Sequence, residues 1–213
     1  MKKANLPDQA KVDAIIHRLV TAIDADPHAV ENYLQLSSYL LERGSADQAA
    51  KLLEEAQHLV AQPTMLSYNL AVCYYMQGKF DQALQLLDQI PNDDLTLYQK
   101  ALVYLKLGQN QKALAYAMTI KHSDNRVKEL LGDIWLALGE LATTRKELLT
   151  IPPKARSSKV YFLLAVATLT QNRDQSHIYF KRSKALDPKY YERAGSQYQA
   201  IMQLLRKKGK QDD

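Results

Sequence analysis

Cysteine is almost missing from this 213-residue chain, with Cys73 the single example. One thiol excludes an internal disulfide framework and a cysteine-based zinc site, and it fits a reducing compartment. Histidine is sparse and scattered, at His17, His28, His58, His122 and His177. No His-Glu-x-x-His pair and no glycine-rich phosphate loop after a strand-like run occurs, which excludes the common metallohydrolase and nucleotide-binding motifs. No apolar run approaches the roughly 18 residues that suggest a membrane span. Behind Met1-Lys2-Lys3 comes Ala-Asn-Leu-Pro-Asp-Gln, which has no apolar core of a signal peptide. The expectation is a cytoplasmic, non-catalytic protein with no cofactor and no metal.

What is present is ordinary for a folded chain. Hydrophobic residues at 46% and charged residues at 24% supply a core and argue against long disorder. The net charge of +5 is unevenly placed. Residues 1–149 hold 15 Lys/Arg against 18 Asp/Glu, a balance of −3, and residues 150–213 hold 13 against 5, a balance of +8. Such asymmetry marks an anionic partner or solvated helix ends.

Apolar residues recur at three- and four-residue spacing along the chain, beginning with Val12, Ile15, Ile16, Leu19, Val20 and Ile23. That is the stripe of an amphipathic helix. Asp26-Pro27 stops the first helix, because a residue before proline is pushed out of helical dihedrals. Helices follow over about 29–43 and 46–60, then on either side of Gly78, Gly108, Gly139 and Gln171-Asn172. Gln62-Pro63-Thr64, Pro91 and Ile151-Pro152-Pro153 punctuate them, with Thr64, Asn92-Asp93-Asp94 and Ser123-Asp124 as N-cap candidates. No segment alternates with period two, so no strand is predicted.

The turns expose a repeat. Gly44 to Gly78 is 34 residues, Gly78 to Gly108 is 30, Gly108 to Gly139 is 31 and Gly139 to Asn172 is 33. A helical hairpin recurring at this period predicts an all-α, right-handed α-solenoid of about 12 helices. Around each turn stand Leu36-Ser37, Leu40 and Ala49; Leu70-Ala71, Tyr74, Ala83 and Leu87; Ala101, Tyr104 and Ala113; and Leu131-Gly132, Trp135 and Leu148. Small residues suit the places where two helices cross closely. This pattern resembles the tetratricopeptide repeat (TPR) family. Lys100 in the leucine slot of the third copy, Thr144 in the alanine slot of the fourth, and a fifth turn short by one residue are departures from it. The reading is a single domain over 1–213. It comprises a capping helix at 8–25, repeats at 29–62, 64–91, 93–122, 124–151 and 156–187, a terminal cap at 189–208 and a tail at 209–213. Tyr198, Ile201, Met202 and Leu205 supply that cap's apolar face.

The resemblance implies that the first helix of each hairpin lines a concave side, and these helices carry a second stripe besides the packing one. It comprises Leu34, Ser38 and Leu41; Tyr68, Val72 and Tyr75; Tyr98, Leu102 and Leu105; and Phe162, Val166 and Leu169, with Glu129, Asp133 and Leu136 interrupting it in the fourth copy. Residues at that spacing share one face. They make either an apolar, tyrosine-rich groove or packing between neighbouring helices and beneath a terminal one, with the tyrosines expected to be more exposed than the leucines. Asn69 and Gln99 lie beside the stripe, as amides for a peptide backbone or as solvent-facing residues. Of the carboxylate-clamp positions of chaperone-binding TPR domains only Asn69 matches, while Leu34, Ser38, Leu95 and Gln99 fill others, so an apolar extended or helical segment is the expected ligand.

The expected function is a protein-interaction scaffold holding a partner peptide or subunit. The alternative is binding of nucleic acid or another anionic surface through Lys181, Arg182, Lys184, Lys189, Arg193, Arg206, Lys207, Lys208 and Lys210. Lysines near a helix end also favour its dipole with no ligand at all, so a protein partner is preferred to nucleic acid. Self-association through the groove or the terminal helix is a third reading.

Overall fold

The computed structural model describes residues 9–196 and 198. Eleven α-helices and two short 3-10 helices occupy them, with no strand among the described residues. The helices are α1 (Gln9–Ala25), α2 (Val30–Glu42), α3 (Ala46–Ala56), α4 (Ser67–Met76), α5 (Phe80–Leu87), α6 (Asp94–Lys106), α7 (Asn110–Thr119), α8 (Asn125–Ala137), α9 (Leu141–Leu149), α10 (Ser158–Thr168) and α11 (Arg173–Leu186). Residues 188–196 are helical as well. The all-α, solenoid-class architecture is the one the repeat implies. The four turn glycines hold φ between 71° and 82°, where a side chain is strained and glycine is not. The chain packs into two compact units, residues 1–103 and 104–213.

In the first unit, Asn32 Nδ2 donates to Ala22 O at 2.9 Å and the Tyr33 hydroxyl to Pro27 O at 2.9 Å. These two bonds tie α2 to the end of α1. Tyr33, Ala49, Leu53, Ala56, Leu66, Leu70 and Cys73 form one buried cluster. The small residues Ser37, Ala49, Ala71 and Ala83 are fully sealed. Each fully buried leucine contributes about 1.5–3 kcal/mol relative to exposure.

Two expectations need correction here. Helix α3 ends at Ala56 and not at Val60, and Thr64 is not an N-cap: a 3-10 helix, Pro63–Leu66, carries it, and α4 starts at Ser67 with no side-chain cap. Proline at the first helical position supplies the dihedral without needing an N–H. By contrast, Asp93 accepts from Thr96 N at 2.8 Å and Asp124 from Arg126 N and Val127 N at 2.8 and 3.0 Å, as caps.

The departure at Lys100 has a physical account. Its side chain is buried, and its ammonium sits 2.7 Å from the Asp88 carboxylate and donates to Asn92 Oδ1 at 2.8 Å. The α5–α6 connector thus supplies the polar partners that a lysine in a leucine position requires.

Cys73 is fully buried, and burial pushes its thiol pKa up to about 12. Only the thiolate is a nucleophile. Native protein at pH 8 should therefore react with a thiol reagent at least a hundredfold more slowly than protein in guanidinium, as checked by stopped-flow absorbance.

In the second unit Tyr104 stacks on Tyr116 with centroids 5.2 Å apart, and the Lys112 ammonium lies 5.4 Å from the Tyr104 ring. Gly132 faces Leu148 so closely that a Cβ would fall 2.3 Å from Leu148 Cδ2. Beyond a second 3-10 helix, Pro153–Ala155, α10 is buried all round from Val160 to Thr168. Serines replace alanines between α10 and α11: Ser158 and Ser183 exchange hydroxyl-to-carbonyl bonds at 2.9 Å, and Ser176 Oγ donates to Ala165 O at 2.8 Å. The small side chains permit close approach and leave those hydroxyls satisfied.

Candidate functional site

The stripe of the first unit stays half-buried on three helices. Leu34 and Leu41 of α2, Tyr68, Val72 and Tyr75 of α4, and Tyr98 and Leu102 of α6 are all intermediate in exposure, while Ser38 is exposed. Tyrosines and leucines of the stripe fall in the same half-buried range. Half-burial suits positions that flank the packing stripe of each helix. Tyr75 leans toward Phe80, with centroids 5.9 Å apart. At the edge of the stripe a cleft of about 410 Å³ opens between α1 and α2, lined by Ile15, Arg18, Leu19, Leu34, Ser38 and Glu42 among others.

Gln99 is buried and Asn69 half-buried. Asn69 Nδ2 reaches across to α2, 3.0 Å from Ser37 Oγ, 3.1 Å from Ser38 Oγ and 3.4 Å from Leu34 O, and so laces two hairpins together. Gln99 is 4% exposed, and its Nε2 has no hydrogen-bond partner. Sequence spacing marks both as stripe-adjacent but carries no information on which helix covers them.

In the second unit the same register is occupied. Leu105 is half-buried. Asp133 and Glu129 are met by Lys159 of α10, whose ammonium lies 2.7 Å from the first carboxylate and 3.8 Å from the second. Ser157 Oγ donates to Glu129 Oε2 at 2.7 Å. Burial alone would lower the Lys159 pKa, but Asp133, through charge and hydrogen bond, and Glu129 together hold it above the ordinary lysine value. The acidic pair is thus paired within the molecule. Phe162 is 6% exposed, with the rings of Phe180, Tyr190 and Tyr191 at 5.4, 6.2 and 6.1 Å. Burial is the main cause of the raised Tyr190 pKa. Phe162 therefore lies under the 188–196 segment, where Asp187 Oδ1 accepts from Tyr190 N at 3.0 Å. Lys159, Ser157 and the Tyr190-Tyr191 pair are the residues the spacing argument missed. The Pro188-initiated helix with adjacent tyrosines was the signal for the last two.

Of the expected basic patch, Lys181, Arg182, Lys184, Lys189 and Arg193 lie among the described residues and are exposed. Three of them also cover rings: Arg182 lies 5.6 Å from the Tyr161 centroid, Lys184 5.8 Å from Tyr191 and Arg193 5.9 Å from Tyr190. Arg206, Lys207, Lys208 and Lys210, with Ile201, Met202 and Leu205 of the expected cap, lie outside the described residues.

Residues 40–103 match the tetratricopeptide repeat family. A comparison with curated protein sequences gave no match. Among solved structures, a chain of the APC/C hetero-tetramer Cut9-Hcn1 is similar with a TM-score of 0.72 at 15% identity, over 84% of this chain and 38% of that one. This chain therefore spans little over a third of that protein. A thermophilic TPR protein of Thermus thermophilus gives 0.64 at 19% identity, over 82% of this chain and 100% of the other. YrrB, a TPR protein described as having an unusual peptide-binding site, gives 0.54 at 14% identity, over 84% and 97%. At such identities the likeness is one of fold.

Proposed function

We propose, from the premise that this chain is a tetratricopeptide-repeat protein, that it holds an apolar segment of a partner protein along the α2–α4–α6 stripe of its first unit. The family fold supports a protein–protein interaction scaffold in general. The finer assignment rests on one observation: the stripe is left half-exposed in the first unit, whereas at Phe162 in the second it is covered by the chain's own 188–196 segment. Tyrosines offer large contact area with a polar tip at low conformational cost, which suits a binding surface. The peptide-binding site named for YrrB is a precedent for a peptide ligand on this fold.

The test is capture of partners from native lysate by wild type and by a Tyr68→Ser/Tyr75→Ser/Tyr98→Ser variant, read by mass spectrometry. The variant should keep the wild-type far-ultraviolet spectrum and lose the proteins that wild type recovers, by tenfold or more. Equal recovery by both sinks the assignment.

A further inference from the structure

Three hairpins place an aromatic residue four positions before the turn: Tyr74, Tyr104 and Trp135. The fifth places Thr168 there. The register is fixed by the structure, because Ser176 Oγ bonds Ala165 O where Ala83 and Ala71 serve the second hairpin. Elsewhere the aromatic side chain is well used. The Tyr74 hydroxyl donates to Glu54 Oε1 at 3.0 Å and its ring carries Lys79 at 5.3 Å, while Tyr104 stacks on Tyr116.

In place of a ring, the fifth hairpin has a cleft of about 430 Å³, lined by Arg145, Leu149, Leu164, Thr168, Gln175 and Tyr179 among others. Leu164, fully buried, lies at its base, and Leu149, 47% exposed, at its mouth. Thr168 is 5% exposed and its Oγ1 has no hydrogen-bond partner. A buried hydroxyl left unpaired is costly, and threonine in a helix has two accessible χ1 wells through which to reach an incoming group. Arg145 Nη1 donates to Ala167 O, and no carboxylate among the described residues pairs with the guanidinium. The cleft therefore offers a guanidinium and an amide, with the accessible carbon of Leu149 and Tyr179 beside them.

We propose that this cleft is a binding site for an aromatic group bearing an adjacent carboxylate, the ring seated against Leu149 and Tyr179 in the slot that Thr168 leaves unfilled and the carboxylate on Arg145. The chemistry is that of a polypeptide's C-terminal aromatic residue or of a free aromatic amino-acid derivative. The site is separate from the first-unit stripe and stands without it.

The full chain, labelled with ¹⁵N, is titrated with N-acetylphenylalanine, its amide, and a Gly-Ser heptapeptide ending in phenylalanine with a free carboxylate. Both acids should shift amide signals around residues 145, 168, 175 and 179, and the amide should bind at least tenfold more weakly. A tighter peptide identifies a chain end as the ligand, and equal affinities identify the small acid. Thr168→Tyr, which refills the slot, should abolish binding while holding or raising the thermal midpoint. Arg145→Gln should reduce the acid to the affinity of the amide. No shifts from either acid at millimolar concentration, equal binding of acid and amide by wild type, or undiminished binding by a folded Thr168→Tyr protein would overturn the proposal.

Discussion

Valine at position 132 should destabilise the protein by about 3 kcal/mol, the upper end for an overpacked core site. Gly132 sits in the interior of α8, where glycine is about 1 kcal/mol worse than alanine on propensity alone. Sequence preference therefore argues for replacing it, and packing argues against. Packing wins, because a Cβ there would fall 2.3 Å from Leu148 Cδ2 and 2.5 Å from Leu148 Cγ, and Leu148 is itself fully buried. A β-branched side chain cannot rotate its second branch away, so α8 and α9 must separate. The cost shows as a lower urea midpoint by circular dichroism. Leu148→Ala alone should cost about 2–5 kcal/mol by leaving a cavity. In the double variant the losses should fall short of additivity by at least about 1 kcal/mol, because the valine fills the space the leucine vacates. Additive losses would mean that Gly132 and Leu148 are not the close pair described.

Phe162→Ala is expected to cost about 3–5 kcal/mol and to loosen one particular segment. Phe162 is the shared member of a ring cluster: Phe180, Tyr190 and Tyr191 each lie within 6.2 Å of its centroid at steep angles, and Phe180 and Tyr191 meet at 6.1 Å. Edge-to-face pairs contribute about 0.5–1.5 kcal/mol beyond their buried area. Removing the common ring strips the covering segment of its anchor on α10. Hydrogen exchange at 188–196 should accelerate at least tenfold while exchange in α2 to α5 is unchanged. Uniform acceleration, or none, would show that the segment is held by something else.

The hairpin grammar was legible because its causes are local. Glycine at Gly44, Gly78, Gly108 and Gly139 marks positive φ, small residues mark crossings, and prolines mark the ends of helices. Each is a property of a residue and its near neighbours. The two 3-10 helices were not legible, because Pro63 and Pro153 read equally as breaks and as first helical positions. The candidate site was legible as a face but not as an exposed face. Periodicity places Tyr68 and Phe162 in equivalent positions, yet one is half-buried and the other covered. The difference is made by Tyr190 and Tyr191, about 28 residues further on, which no helical spacing connects to α10. Charge was the least legible. Glu129 and Asp133 read as an interruption of the stripe until Lys159 is found against both, and Lys100 read as a departure until Asp88 and Asn92 are found at its ammonium.

That lysine bears on how interchangeable the hairpins are. Copies of a repeat are near-equivalent building blocks, and misassembly between them is a characteristic failure of such chains. A leucine in α6 would be content behind any second helix. Lys100 is content only where a carboxylate waits ten residues past the preceding turn, as Asp88 does; the equivalent residue is Glu54 in α3, but Met118 in α7 and Leu149 in α9. Moved behind either of those, the ammonium would be buried without a counter-charge, at a cost of several kcal/mol. The third hairpin is thus fitted to follow α3 or α5 and not α7 or α9, and a shuffled gene that moves it behind either of the latter would be penalised there first.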